Sequence, residues 1–292
     1  MKILAGIVLY NPDIERLREN VGAIISQVDK LILYDNHSSN IEIVRSSFFG
    51  NEKMELICNE NNDGISVALA RIMEYAEKRG FDWVLTLDQD SVCSEGLIEK
   101  YVDVLQNPEK WDVNCDPHRI GILTCNIIDR NYEIDNDIKP DEKTKIIERC
   151  ITAGSFMNTS NYSKSEGFDE SLFIDGVDFD ICYNLRKHGF FIVQVNYDGV
   201  LQEIGSGKIV QLLWKKYPYN NHSPLRNYYM ARNDLIIYKK YPQYIGIKKT
   251  ILREIKSQLI ICLFGTNKLQ LLSKRWKGII EGIRYKRMVS RL

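Results

Sequence analysis

Leu85-Thr86-Leu87-Asp88-Gln89-Asp90-Ser91 sets two carboxylates one residue apart, directly after an apolar run. Such a pair can share one hard divalent cation. Oxygen donors suit Mg2+ or Mn2+, which complete their shells with phosphate oxygens and waters. Asp-x-Asp alone is common by chance, and its place at the end of a buried strand gives it weight. A second acidic group runs through Asp169 and Glu170 to Asp175-Gly176-Val177-Asp178-Phe179-Asp180, ahead of a helical pattern that ends at His188-Gly189. The helix dipole accounts for one acid in a first turn. It does not account for Asp169, Glu170, Asp175 and Asp178 together. The third group is His222-Ser223-Pro224-Leu225-Arg226, continuing through Tyr229 to Arg232-Asn233. On a helix, Arg226, Tyr229 and Asn233 share a face with Arg232 at its margin. Arginines among tyrosines can grip a phosphate or a sugar, although a solvated helix face has the same composition.

These residues need elements to position them. Apolar runs at Ile3–Tyr10, Lys30–Tyr34, Met54–Asn59, Trp83–Leu87 and Ile120–Asn126 read as strands. Helical patterns fall between them at Ile14–Ser26, Ser66–Arg79 and Gly96–Leu105, the second stopped by Gly80. That alternation predicts an α/β fold with a mostly parallel central sheet flanked by helices. Ligands of such sheets bind beyond the carboxyl ends of the strands. Those ends carry Tyr10-Asn11-Pro12, Asp35-Asn36, Asn59 to Gly64, and Asp88-Gln89-Asp90. One polar loop is only a turn, but four on one edge describe a site. Residues 106–119 read as a surface excursion and 129–145 as a polar loop or hairpin.

The chain has 292 residues, 44% of them apolar and 27% charged, which supplies a full core and rules out disorder as the dominant state. Lys and Arg balance Asp and Glu at 39 each, so a general nucleic-acid binder is not expected. The average hides an asymmetry. From Ile245 onward twelve bases face two acids, a net +10, and the first 244 residues carry the compensating −10. Seven scattered cysteines with no Cys-x-x-Cys pair weigh against a disulfide framework and a zinc knuckle, and fit a reducing cytoplasm. The opening apolar run, Ile3 to Tyr10, is too short for a signal peptide or a membrane span.

Taken together, these segments resemble the inverting glycosyltransferases of family 2, with the GT-A fold, and look most like their bacterial rhamnosyltransferase branch. The matching elements are Tyr10-Asn11-Pro12, Asp35-Asn36 with Ser38, and Asn61-Asn62-Asp63-Gly64-Ile65-Ser66 with Ala68 and Ala70. They continue with Asp88-Gln89-Asp90-Ser91, Ala153-Gly154-Ser155, Phe168-Asp169-Glu170, Phe173-Ile174-Asp175 through Asp178, and His222 through Asn233. The resemblance spans residues 3–240. It implies a GT-A catalytic domain over 1–240, its nucleotide-sugar half ending near 126 and its acceptor half running over 127–240, followed by a basic helical region at 241–292.

The resemblance also implies roles. Tyr10, Asn11, Asp35 and Asn36 would hold the base and ribose of a nucleotide-diphosphate sugar, with Asn62, Asp63 and Gly64 completing that pocket. Asp88 and Gln89 would meet the donor, and Asp90 with Asp88 would ligate Mg2+ or Mn2+. Asp178 falls at the position of the catalytic base. Asp175, His222, Arg226, Tyr229 and Arg232 would serve the acceptor or the diphosphate. One base and one metal suffice for inversion, which fits the lack of a Ser-His-Asp or Cys-His set. The branch implies L-rhamnose from dTDP-rhamnose. Galactose, galactofuranose and N-acetylglucosamine from UDP-sugars stay open, as do a saccharide or lipid-linked saccharide acceptor and a role in cell-envelope polysaccharide synthesis.

One departure stands out. Where the family has His-x-Leu/Ile-Gly beyond the base, this chain reads Leu201-Gln202-Glu203-Ile204-Gly205. Gln202 takes the place of the third metal ligand, with Glu203 as a substitute if the loop shifts. At the C-terminus, residues 267–292 interleave eight bases with Leu269, Leu271, Leu272, Trp276, Ile279, Ile280 and Ile283. That pattern suits an amphipathic helix on the inner face of an anionic membrane, or one packed on the acidic body or on a second copy in a homodimer. Two other functions fit parts of the sequence. Asp88-x-Asp90 also matches the nucleophile motif of haloacid-dehalogenase-type phosphatases, and the loss of the His suits a non-catalytic nucleotide-sugar-binding protein.

Overall fold

The computed structural model describes residues 1–48, 50–130, 138–202, 208–212, 215–219 and 222–286. The elements run β1 (Ile3–Leu9), α1 (Ile14–Ile24), β2 (Lys30–Asp35), α2 (Ile41–Phe48), β3 (Met54–Cys58), α3 (Ile65–Arg79) and β4 (Trp83–Asp88). They continue with β5 (Val92–Cys93), α4 (Leu97–Gln106), β6 (Ile120–Asp129), β7 (Thr144–Ile147), β8 (Ser155–Asn158), α5 (Thr159–Ser163), α6 (Val177–Lys187) and β9 (Phe191–Gln202). Last come β10 (Lys208–Leu212), β11 (Lys215–Tyr219), α7 (Pro224–Lys240), α8 (Ile247–Phe264) and α9 (Lys268–Arg284). The chain divides into two compact units, Met1–Ser171 with Asp178–Glu203, and Leu172–Val177 with Ile204–Leu292.

The first unit is a mixed sheet covered by helices, in the order β3-β2-β1-β4-β8-β6-β9-β5, with β7 paired to β9. β1, β2, β3 and β4 run parallel, as the strand–helix alternation predicts. Beyond β4 the sheet turns mixed: β8 runs antiparallel to both β4 and β6, while β6 and β9 are parallel. The sequence reading contained no β8, no β9 and no α2. β7 takes the end of 129–145, the polar loop or hairpin of the sequence, of which 131–137 lie outside the described residues. Sheet burial follows the apolar runs. Leu31, Leu33, Val84, Leu85 and Leu87 are almost fully enclosed, as strands covered on both faces must be. Phe156 of β8 stacks between Trp83 and Tyr101 at ring distances of 4.8 and 5.3 Å, and offset aromatic pairs of this kind add to the area they bury. α3 ends where the sequence places its stop, with Gly80 in the left-handed region at φ 66°.

In the second unit β10 and β11 pair antiparallel, and α7, α8 and α9 pack together. Ser223 caps α7 by accepting from the Arg226 amide, and Pro224 occupies the first turn, where its missing N–H costs nothing. α9 turns Leu271, Arg275, Gly278 and Gly282 inward. Arg275, counted above among the bases of the tail, is therefore an interior residue. It pairs through Nε with Glu254 Oε1 at 2.9 Å and donates from Nη1 to Asn227 Oδ1 at 3.1 Å. Arg287 and Arg291 of the tail lie outside the described residues.

Candidate active site

The polar ends of β1, β2 and β3 are laced to one another. The Asn11 amide donates to Ser38 Oγ at 2.8 Å, and Asn11 Oδ1 accepts from the Ser39 amide and hydroxyl at 2.8 and 2.9 Å. Asn11 itself sits in the left-handed region, at φ 48°, which Asn tolerates better than most residues. Asp35, 2% exposed, accepts the Ser38 amide on both oxygens, and Asn40 ties back to the Pro12 carbonyl at 2.9 Å. Asn36 spans to the next loop. Its Nδ2 donates to Asn62 Oδ1 at 2.9 Å, and its Oδ1 accepts the Asp63 amide at 3.1 Å. Asn62 Oδ1 also takes the Gly64 amide, and Asn59 holds Asp63 Oδ2 at 2.9 Å. Buried polar groups need such partners, and together they fix the loops. The Tyr10 ring stays half-exposed above this lattice, with its amide donating to Gln89 Oε1 at 2.8 Å. Tyr10, Asn11, Asp35, Asn36, Asn62, Asp63, Gly64 and Gln89 thus form one continuous edge.

The Asp88 turn is fixed from two sides. Asn20 of α1, fully buried, donates to the Asp88 carbonyl at 2.7 Å. Asn20 is not among the residues that the motifs single out. Its signal was an amide on the same helix face as Leu17, Val21 and Ile24, where an apolar residue is the rule. The two residues of β5 pair antiparallel with the end of β9, Val92 opposite Leu201 and Cys93 opposite Val200. That register brings Gln202 beside the turn, where its Nε2 donates to Asp88 Oδ2 at 2.9 Å. Asp90 lies in the same turn, closed by the Ser91 amide on the Asp88 carbonyl at 3.2 Å.

Among the described residues, no three His, Cys, Asp or Glu side chains group closely enough to hold a metal ion. A cation held at this turn would draw on an amide as well. Gln202 Oε1 is buried and accepts no hydrogen bond, so an oxygen donor stands open next to Asp88. Asp88, Asp90 and Gln202 could together offer oxygen donors alone, and all-oxygen sets fit Mg2+ or Mn2+ rather than softer metals. Glu203, the substitute ligand, lies outside the described residues.

In the second unit the segment before α6 is held by α7. Asn233 Nδ2 donates to the carbonyls of Leu172, Ile174 and Asp175 at 2.9, 2.9 and 2.7 Å. Phe173 and Asp175 both take positive φ, 65° each, a strained choice that persists only where surroundings enforce it. Phe173 stacks on Tyr229 at 4.8 Å. Arg226 Nε reaches both Asp175 oxygens at 3.0 and 3.1 Å. Burial raises the Asp175 carboxyl above the usual range, against the pull of Arg226. The Arg232 guanidinium lies over the Tyr229 ring, 5.0 Å from its centre. Burial, then Arg226 and Arg275, push His222 down to about 4, which makes it a neutral imidazole at pH 7. Asp175, His222, Arg226, Tyr229 and Arg232 are thus brought together around the start of α7. Asp178 stands in the first turn of α6, in the first unit.

The sequence matches the profile of glycosyl transferase family 2 over residues 5–164. The chain belongs to that family. This transferase is 25% identical to dTDP-rhamnosyl transferase RfbF of Shigella flexneri, over 97% of its own length and 95% of the relative's. Among solved structures it is similar to S. aureus TarS residues 1–349 in complex with UDP-GlcNAc, with 11% identity, a TM-score of 0.56, and 97% and 89% of the two chains covered. A second is GalNAc-T7 with UDP, GalNAc and Mn2+, with 13% identity, a TM-score of 0.55, and 82% and 48% covered. The transferase spans 43% of the longer TarS chain. At these identities the structural likeness speaks for the fold, which is the GT-A arrangement that the motifs imply. The chain is a glycosyltransferase, and the phosphatase reading of Asp88 falls away.

Proposed function

We propose that this transferase moves L-rhamnose from dTDP-rhamnose to a saccharide hydroxyl, with inversion at the anomeric carbon. The observation that carries the donor is the match to a dTDP-rhamnosyl transferase along nearly the whole of both chains. The acceptor is a saccharide, free or carried on a lipid, in cell-envelope polysaccharide synthesis. Residues 1–240 do the chemistry, and 241–292 form a basic helical appendage.

The residues divide the work. Tyr10 offers its exposed ring as a stacking surface for the base. Asn11, Asp35, Asn36, Asn62, Asp63 and Gly64 bound the base and ribose, prefixed by the hydrogen bonds that already join them. Asp88 and Gln89 face the donor, and Asp88, Asp90 and Gln202 hold the divalent cation. When bound, that cation neutralises charge on the leaving diphosphate, so no proton is needed there. Asp178 takes the proton of the acceptor hydroxyl as the oxygen attacks the anomeric carbon from the side opposite the diphosphate. Arg226 and Arg232 supply cationic donors for the diphosphate or acceptor, and Asp175 holds Arg226 in place. Neutral His222 can give or take a hydrogen bond without adding charge.

A UDP-linked galactose, galactofuranose or N-acetylglucosamine is the second reading, supported by the fold shared with TarS bound to UDP-GlcNAc. Calorimetric titration of dTDP and UDP with Mg2+, Mn2+ or EDTA, followed by transfer from dTDP-rhamnose and UDP-GlcNAc, separates the two. Metal-dependent binding of dTDP and turnover of dTDP-rhamnose support the first. Preference for UDP and its sugar overturns it. Binding of a nucleotide with no transfer from any donor favours a non-catalytic protein.

A further inference from the structure

α8 buries only Thr250 and Ile261 and leaves most of its apolar side chains exposed. A helix on a water-facing bundle normally turns its apolar side inward and its charges outward. In α8 the charged residues Arg253 and Glu254 face its neighbours: Arg253 pairs with Asp234 of α7 at 2.7 Å, and Glu254 pairs with Arg275 of α9. The side facing away carries Ile247, Ile251, Ile255, Leu259 and Leu263 at four-residue steps, with Leu252 beside them, 66% exposed. α9 adds Leu269, 86% exposed, then Trp276, Ile280 and Ile283. Eleven of the seventeen large exposed apolar side chains among the described residues fall between Ile247 and Ile283. Single exposed apolar residues are ordinary, but a contiguous set marks a contact surface.

The charges around this surface name its occupant. Lys248, Lys249, Lys256, Lys268, Lys274, Lys277, Arg284 and Lys286 are exposed. The acids of α8 and α9 are both engaged, Glu254 with Arg275 and Glu281 with Tyr228 and Lys277. A symmetric contact between two copies would set the same cations against each other, which is costly. No helix among the described residues is long and apolar enough to cross a membrane. An apolar stripe ringed by lysines fits the surface of an anionic bilayer, with side chains in the headgroup region and cations on the lipid phosphates.

We infer that α8, together with the outer face of α9, is a docking surface for an anionic lipid bilayer. The sequence pattern points to residues 267–292 alone. The structure moves the main apolar contribution upstream to 247–264 and withdraws Leu271 and Arg275, which are buried. The inference concerns a surface of the second unit and is independent of the donor.

Flotation of the full chain with vesicles tests it. Vesicles of equal parts phosphatidylcholine and phosphatidylglycerol are expected to carry the protein at least roughly tenfold better than phosphatidylcholine alone. The triple variant Leu252→Gln, Ile255→Gln, Leu259→Gln is expected to lose that binding while keeping wild-type nucleotide affinity. Lys248→Gln, Lys249→Gln, Lys256→Gln should lose most of it at low salt, and Ile43→Gln, an exposed apolar residue elsewhere, should lose none. Quenching of wild-type tryptophan fluorescence by brominated phosphatidylglycerol gives a second readout that needs no variant. Equal binding of wild type and the α8 triple variant overturns the inference. So does absence of flotation and quenching, or a wild-type dimer that the α8 substitutions dissociate. The vesicles hold neither donor nor acceptor, so failure here leaves the transfer assay untouched.

Discussion

Gln202 Nε2 lies 2.9 Å from Asp88 Oδ2, joining the end of β9 to the end of β4 although β8 and β6 stand between those strands in the sheet. The join is made by β5, two residues long, which folds back from the Asp88 turn onto β9. The amide's N–H2 is used on the carboxylate, and its oxygen is left as a donor to whatever binds there.

A nitrogen ligand in that place would change metal preference. Gln202→His is expected to raise affinity for Mn2+ and Co2+ relative to Mg2+ by roughly tenfold, since imidazole favours the later transition metals. Calorimetry of dTDP binding under each metal measures it. An unchanged ratio removes Gln202 from the ligand set.

Asp178→Asn keeps size and hydrogen-bonding reach but cannot take a proton. Transfer is expected to fall by about 10²–10⁴, with dTDP affinity within about twofold of wild type. Full transfer by the variant would strip Asp178 of the base role.

Asn233→Ala leaves three carbonyls at Leu172, Ile174 and Asp175 without their shared donor. A loss of about 1–3 kcal/mol in urea denaturation is expected, together with a fall in kcat that exceeds any change in dTDP binding. A stability loss with normal kcat would show that the segment needs no such support.

His222 sets a pH dependence. Its folded value, near 4, lies below the ordinary 6.5. Between these values the unfolded chain binds a proton that the folded chain refuses. The ring's contribution is therefore intact above pH 6.5 and lost as pH falls toward 4. The Tm difference between wild type and His222→Gln should shrink across that window. A constant difference from pH 7.5 to 4 contradicts it.

The α7–α9 crossing depends on two glycines. A Cβ at Gly278 would meet the Tyr228 carbonyl oxygen, and one at Gly282 would lie 2.8 Å from the Arg232 carbonyl oxygen. Gly278→Ala is expected to cost about 1–3 kcal/mol or more, because backbone must move. Gly246→Ala, where a Cβ meets nothing within 4 Å, should be close to neutral. Urea melts of the two variants provide the comparison.

Much of the polar strand-end edge is legible in sequence because it is local: each polar cluster directly follows an apolar run, and parallel strands put their ends together. What was illegible depends on pairing across long separations. Nothing near Val92 says that it pairs with Leu201. β9 continues through Asp198-Gly199 with a shift of register against β6, Asn126 facing Asp198 and Ile127 facing Val200. Gly199 is there because a Cβ would lie 2.6 Å from Cys125 Sγ and Leu97 Cδ1. Composition gives the charge of the tail but not its facing. By sequence Arg275 is one more base among many, and the apolar stripe of α8 lies upstream of the basic segment at 267–292.

The placement of β8 has a consequence for synthesis. β4 gains its second neighbour only at residues 155–158, about seventy residues after its own end. At ribosomal rates of about 5–20 residues per second, that strand waits several seconds with one row of amides and carbonyls unpaired. The nascent chain therefore passes through a stage with the polar ends of β1, β2 and β3 largely assembled and an open flank beside them. A trigger-type holding chaperone, or slow codons placed after residue 158 rather than before it, would decide how many chains survive that interval.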